Sequence, residues 1–215
     1  MVLETLVVGV LQTNCYIVGS STTGQALVVD PGDGAAAILA ALQRHGLHLL
    51  HIVATHAHFD HLLAARELQE ATGAAFHLHP DDLPALAQMR QMAMAWIGAP
   101  GDPPRVDSVL GEGTVISVGE IELEVRATPG HSPGGVTLVD HRGRMAFTGD
   151  ALFAGSIGRW DLPLGNLDML LASIRSQILT LPDDYGILPG HGPASTVGEE
   201  RLTNPFLSAT FGGPR

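Results

Sequence analysis

Residues 56–61 read His56-Ala57-His58-Phe59-Asp60-His61, which packs four potential metal ligands into six positions. They follow His51-Ile52-Val53-Ala54, a β-branched and apolar run with the character of a buried strand. A helical pattern through Leu62, Leu63, Ala65, Arg66 and Leu68 comes next. The cluster therefore sits on the turn leaving a strand, where side chains can converge on one point. His56 and His58 can grip one cation while Asp60 and His61 turn toward a second. The rest of the chain supplies the missing ligands.

Three later strand ends repeat the device. Ile121, Leu123, Val125 and Ala127 alternate with Glu120, Glu122, Glu124 and Arg126 in a half-buried strand, and Thr128-Pro129-Gly130-His131-Ser132-Pro133-Gly134-Gly135 closes it. Phe147-Thr148-Gly149-Asp150 and Leu188-Pro189-Gly190-His191-Gly192 also end a strand in glycine plus a ligand-type residue. Proline and glycine restrict such loops, and a rigid sheet with ligands on its edge loops makes a preorganised site. Gly-His-Gly alone is usually only a turn, and His77 and His79 share the His-x-His spacing yet read as structural. The joint occurrence carries the argument. His45, His48, His51, His77, His79 and His141 fall outside the site.

Nitrogen and oxygen ligands without a thiolate suit Zn²⁺ first, with Fe²⁺ or Mn²⁺ as alternatives. Seven residues exceed what one tetrahedral ion needs, whereas two divalent ions sharing a carboxylate would use them all. His56, His58 and His131 are assigned to one site, Asp60, His61 and His191 to the other, and Asp150 bridges them. Two such ions lower the pKa of a water between them toward ~7, giving a metal-bridging hydroxide, and polarise a scissile carbonyl. Asp60 is the candidate to take the water's proton. A thiol with pKa ~8.5 departs readily as thiolate. An amide nitrogen must be protonated as it leaves, and no lysine or tyrosine is expected near these motifs. Thioesters are favoured over esters and lactones, and those over amides.

The surrounding pattern predicts the architecture. Thr5 to Val10, Cys15 to Val18 and Ala26 to Val29 are β-rich runs; Asp30-Pro31-Gly32-Asp33-Gly34 turns into a helix with Ala37, Ile38, Ala41 and Leu42 on one face. A second helix runs to about Ala71, Ala75 to Leu78 returns as a strand, and residues 81–98 read as a helix carrying Met89, Met92, Met94 and Trp96. Val136 to Val139 and Met145 to Thr148 flank a hairpin turn at Asp140-His141-Arg142-Gly143, Asn166-Leu167-Asp168 opens another helix, and Ile187-Leu188 is a last strand. Each half builds strands and then covers them with helices. This predicts an α/β fold of two mixed sheets face to face with helices outside, a four-layer αββα sandwich, in a single domain over residues 1–215.

A net charge of −11, from 22 acidic and 11 basic side chains, argues against nucleic acid and anionic membranes as partners. A small molecule fits better, even an anionic one, because bound cations invert the local field. The single Cys15 excludes an intrachain disulfide and suits a reducing cytosol. Glu4 interrupts the apolar N-terminus, no basic segment precedes it, and no uncharged apolar run reaches membrane-spanning length, so a cytoplasmic protein is expected.

With Asp30 after its strand, the run from His56 to His61, His131, Asp150 and His191 in this order, the chain resembles the metallo-β-lactamase-fold superfamily. The second histidine of the tandem ending, His61, is similar to the glyoxalase II and lactonase branches. Phe153-Ala154-Gly155-Ser156-Ile157-Gly158-Arg159 and the stretch His191-Gly192-Pro193 through Glu200-Arg201 to Asn204-Pro205-Phe206 resemble the short glyoxalase-II-like proteins. The resemblance implies hydrolysis of an S-2-hydroxyacylglutathione-type thioester. It also admits a persulfide dioxygenase-like enzyme with one iron, or a lactonase. The chain ends soon after His191, so the helical region that brings basic residues to glutathione in full-length relatives is not expected. Trp160 and Asp161 follow Arg159 where that family offers an aromatic hydroxyl.

Four further residues or groups carry specific expectations. Asp30 can buttress a ligating imidazole or simply cap its turn. Arg159 can bind a substrate carboxylate or pair with Asp161. The methionines at helical spacing fit a core more than an adaptable wall over the site, and Cys15 reads as a small buried hydrophobe.

Overall fold

Two sets of strands, their inner members buried on both faces, determine how this chain folds. The computed structural model describes residues 1–208. The first set is β1 (Val2–Val8), β2 (Thr13–Gly19), β3 (Gln25–Val29), β4 (His48–Val53), β5 (Ala75–Leu78) and β6 (Ser108–Val109), hydrogen-bonded in that order into one sheet. Pairing is antiparallel from β1 to β3 and parallel from β3 to β6. The parallel crossovers are α1 (Ala35–Arg44), α2 (Ala65–Thr72) and α3 (Leu83–Ile97).

The second set is β7 (Val115–Val118), β8 (Ile121–Ala127), β9 (Val136–Asp140), β10 (Met145–Gly149), the small hairpin β11 (Leu152–Phe153) and β12 (Ser156–Ile157), then β13 (Gly186–Pro189) and β14 (Ser195–Thr196). The hairpin stands apart; the others form a sheet ordered β14-β13-β10-β9-β8-β7, with only β10 and β13 parallel. Helices α4 (Leu167–Ser173) and α5 (Val197–Thr203) cover it.

Three apolar cores separate four layers. Cys15, Ile17, Ala26 and Val28 point from the first sheet to its helices, where they meet Ile38, Leu42, Leu68 and Met89. Their neighbours Tyr16, Val18, Leu27 and Val29 point the other way and pack against Leu123, Val125, Leu138 and Phe147 of the second sheet. Behind that sheet Val139, Ala146 and Ile187 meet Leu170, Ile174 and Val197. The alternating direction of side chains along each inner strand thus splits its residues between two cores. The fold is the four-layer αββα sandwich.

Several boundaries differ from those the pattern predicts. β1 spans Val2–Val8 because Gly9 and Gln12, at φ 68° and 56°, turn the chain before β2. The histidine cluster itself ends in one 3₁₀ turn, Phe59–His61, and α2 starts only at Ala65. Along α1 the inward face carries Ala35, Ile38, Ala41 and Leu42, while Ala37 is exposed. The third helix begins at Leu83, after a 3₁₀ turn at Pro80–Asp82. Strand β7 is an addition: Val115 to Val118 alternates too briefly to stand out after the proline-rich stretch at residues 100–104. No helix among the described residues is long and apolar enough to cross a membrane.

Candidate metal centre

Four strand ends carry the candidate residues to one edge of the sandwich. His56 to His61 leave β4 of the first sheet; His131, Asp150 and His191 leave β8, β10 and β13 of the second. The ligand atoms of His56, His58 and His131 lie within 4.8 Å of one another, as do those of Asp60, His61 and His191. Within the first trio, His58 Nδ1 is 3.1 Å from His56 Nε2 and 2.9 Å from His131 Nε2. Three ligands at 2.0–2.1 Å from a tetrahedral ion would stand about 3.3 Å apart, so this spacing fits one cation.

Asp150 lies between the trios. Its Oδ2 is 3.6 Å from His131 Nε2 and 3.8 Å from His191 Nε2, and its Oδ1 is 3.4 Å from His61 Nε2. In the second trio, Asp60 Oδ2 is 3.2 Å from His191 Nε2 and 3.7 Å from His61 Nε2. His61 Nε2 and Asp150 Oδ1 are buried without a hydrogen-bond partner. A buried polar atom left unpaired costs about 1–3 kcal/mol, and two facing each other are what a cation between them would satisfy. The donor set fits a pair of divalent ions.

Three of the imidazoles engage the nitrogen turned away from the centre. His61 Nδ1 bonds Asp30 Oδ2 at 3.0 Å, His131 Nδ1 donates to the Arg159 carbonyl at 2.8 Å, and His56 Nδ1 lies 3.1 Å from the Thr55 hydroxyl. Thr55 in turn donates its N–H to Asp30 Oδ1 and its O–H to Asp30 Oδ2, both at 2.7 Å. Such partners fix each imidazole's tautomer and orientation. Asp30 therefore stands behind His61 and Thr55. Its own oxygens are fully used, although it lies close enough to His56 and His61 to count among ligand-type neighbours.

Electrostatics separate the two trios. Burial, then the neighbouring imidazoles, holds His56 well below its ordinary pKa. Burial followed by His131 lowers His58 to about 4. Burial opposes the charged form of His61 too, but Asp150, Asp60 and Asp30 outweigh it and raise that imidazole to about 10. Burial likewise opposes ionisation of Asp60, yet His61 and His191 hold its carboxyl well below the ordinary range.

Long-range ties hold the loops. Asn14 Nδ2 donates to the carbonyls of Pro189 and Gly192, each at 2.9 Å, and the Tyr16 hydroxyl donates to Pro189 at 2.7 Å. A tyrosine thus does lie beside a site loop, contrary to the sequence expectation, but its proton is committed and burial pushes its pKa up. Gly190 packs so close that a β-carbon there would strike the Asp150 carboxylate and the His61 ring. Glu200, 1% exposed, accepts from the Gly155 N–H at 2.9 Å and from Asn204 Nδ2 at 2.7 Å, and Asn204 also donates to the Ser156 carbonyl at 3.0 Å. This is how the C-terminal stretch bears on the centre: it clamps the β11–β12 hairpin that leads to the Arg159 carbonyl.

The remaining expectations divide. Arg159 turns its guanidinium to Asp161, Nε to Oδ1 at 2.9 Å and Nη2 to Oδ2 at 3.0 Å, on the exposed surface. Met89 is buried and Met92 half-buried in the core, while Met94 and Trp96 are exposed, with Trp96 6.4 Å from the Phe59 ring. Cys15 is fully buried and its thiol pKa is pushed up, chiefly by burial. His77 stays outside, paired with His51.

Facing sheets gather imidazoles and carboxylates into adjoining trios at their strand ends, and the family that shares this fold makes the chain a metal-dependent hydrolase. The chain belongs to the metallo-beta-lactamase superfamily, which it matches over residues 8–191. It is 32% identical to the hydroxyacylglutathione hydrolase GloC of Haemophilus influenzae over 97% of this chain and 99% of that protein. Among solved structures it is similar to the BLEG-1 B3 metallo-beta-lactamase, with a TM-score of 0.90 and 35% identity, covering 97% of this chain and 100% of the other. Against TTHA1623 in a di-iron-bound form the TM-score is 0.86 at 41% identity, over 95% and 100% of the two chains. The fold family implies divalent metal binding.

Proposed function

We propose that this chain is a thioesterase acting on S-2-hydroxyacylglutathione-type substrates. Two divalent ions, zinc first and iron or manganese as alternatives, would be held by His56, His58 and His131 on one side and Asp60, His61 and His191 on the other, with Asp150 shared. The observation that carries this reading is the meeting of the two trios at Asp150, whose Oδ1 faces His61 Nε2 at 3.4 Å with neither atom otherwise bonded. When bound, such ions supply Lewis acidity and bring the pKa of a coordinated water to roughly 7.

The chain's own groups do the rest. Asp60, held ionised by His61 and His191, orients the attacking water and accepts its proton. Thr55, Asp30 and the Arg159 carbonyl keep the imidazoles in register, so their geometry need not reorganise during reaction. The leaving group decides the substrate class. The sequence contains no lysine; of its two tyrosines, Tyr16 donates to Pro189 and Tyr185 is bonded to His141, so no such donor is placed to protonate a departing amine. A thiolate needs none. Beside Asp60, Leu11, Phe59, Leu63 and Ile97 line a small hollow, the apolar surface nearest the proposed attacking water. Arg159 would take a substrate carboxylate by exchanging it for Asp161. The 32% identical relative named a hydroxyacylglutathione hydrolase supports the same substrate class.

The test combines elemental analysis with kinetics on lactoylglutathione, neutral aryl thioesters, a homoserine lactone, glutathione persulfide and a β-lactam. The expected result is two metal ions per chain and fastest turnover of the glutathione thioester. His58→Ala should abolish that activity and lower the metal content. Fast turnover of the lactone or β-lactam alone would overturn the substrate assignment. Oxygen-dependent consumption of the persulfide with a single iron would overturn the hydrolytic one.

A further inference from the structure

We infer that Asp82 is a positioning residue for the first trio: its carboxylate clamps the backbones of the two loops that carry His56, His58 and His131. This inference rests on the ligand assignment proposed above. Asp82 closes the 3₁₀ turn between β5 and α3 and is wholly buried. Although it occupies the N-cap of α3, its side chain makes no capping bond to that helix. Instead, Oδ2 accepts the N–H of Ala57 at 2.8 Å and Oδ1 accepts the N–H of Gly134 at 2.6 Å.

Those partners are informative. Ala57 stands between His56 and His58 on the loop leaving the first sheet, and Gly134 stands three residues after His131 on the loop leaving the second. One carboxylate thus spans the gap across which His58 Nδ1 and His131 Nε2 face each other at 2.9 Å. The fit is close: a β-carbon on Gly134 would lie 2.8 Å from the Asp82 nitrogen and 2.9 Å from its carboxylate. Burying a carboxylate is costly unless it is well bonded, and burial does push the Asp82 pKa up against the two backbone bonds. A stable core alone would be served by an apolar residue. A carboxylate with two acceptor oxygens ties one loop to the other, and an amide cannot do this because one of its two ends is itself a donor.

The experiment follows zinc release from the loaded full-length chain to a chromogenic chelator. Asp82→Asn should weaken one equivalent by roughly 10–100-fold, the usual effect of losing an outer partner, and leave the other within about twofold. Combined with His58→Ala, which breaks the same trio, Asp82→Asn should add no further loss. Asp140→Asn serves as control. That aspartate is also buried and accepts a backbone N–H, from Gly143 at 2.7 Å, but at the far end of β9 from the centre. It should lower the melting temperature without altering release. If Asp82→Asn does not fold, Gly134→Ala keeps the carboxylate while displacing it and should weaken the same equivalent. Release from Asp82→Asn that matches wild type or Asp140→Asn, or a loss that adds to that of His58→Ala, overturns the inference and leaves the proposed activity standing. A wild-type chain that holds no zinc, iron or manganese overturns both.

Discussion

Asp30 and His61 meet at 3.0 Å from different strand ends, Oδ2 to Nδ1, on the side of the imidazole that faces away from the candidate metals. Asp30 holds this position at φ 50°, a left-handed backbone that aspartate tolerates better than most residues but still at a cost. Its side chain also carries both Thr55 bonds, so one residue orients His61 directly and His56 through a hydroxyl.

Asp30→Asn should therefore disturb both trios. The amide keeps one acceptor oxygen and sets a donor against the N–H or O–H groups it replaces. Metal affinity or kcat/KM should fall about 10–100-fold, with a loss of about 1–3 kcal/mol in stability from the orphaned buried donor. Urea unfolding and metal analysis on the purified variant check both. A variant matching wild type in each would return Asp30 to a turn-capping role.

The two trios should load with different proton inventories. His58, at about 4, and His56 below its ordinary value are already neutral at pH 7, so an ion entering the first trio displaces little. His61, raised to about 10 by its carboxylates, is protonated there and must lose that proton before its Nε2 can ligate. Apparent affinity at the second trio should rise with pH through the neutral range, and more steeply than at the first. Calorimetric titration of metal-free protein in buffers of different ionisation enthalpy should count more protons released by the second equivalent. Equal release from both equivalents would contradict this charge distribution.

What the sequence revealed divides along physical lines. Side chains that act by their own chemistry were legible: the imidazoles from His56 to His191 and the carboxylates Asp60 and Asp150 stood out by type, and glycine-terminated strands foretold that they converge. Alternation in β8 and the continuous apolar runs of β2 and β3 marked burial on one face and on two. Backbone-directed partners left no such trace. Asp82 and Asn14 act on N–H or C=O groups far away in sequence, and any residue supplies those. Arg159 is the sharpest case, since the group it offers His131 is a carbonyl that no residue type advertises.

The guanidinium of Arg159 can be tested separately from that carbonyl. Arg159→Ala should leave metal content and turnover of a neutral aryl thioester unchanged, because the backbone bond to His131 survives. For a glutathione thioester, loss of a charge-assisted contact should raise KM about tenfold with kcat little affected. Asp161→Asn, which frees the fork of its competing carboxylate, should lower KM for the same substrate. If neither substitution moves KM, the pair is surface decoration, as exposed ion pairs often are.

Away from the centre, His51 Nδ1 and His77 Nε2 share a hydrogen bond at 3.0 Å between β4 and β5, which requires at least one neutral ring. Burial, then His51, lowers His77 to about 4, and burial also lowers His51. In the unfolded chain both titrate near 6.5. The sign follows: the folded pKa is depressed, so the unfolded state binds more protons between about 6.5 and 4 and stability is lost as pH falls through that window. His58 is lowered to about 4 as well, so the pair must be isolated by difference. His77→Gln removes one titrating ring while retaining a polar group at the same register. Its stability deficit in urea should be largest above pH 7 and shrink steadily toward pH 4 as wild type pays the proton penalty that the variant escapes. A deficit constant across that range would mean that the two rings are matched by packing alone, and that their protonation plays no part in holding the parallel strands together.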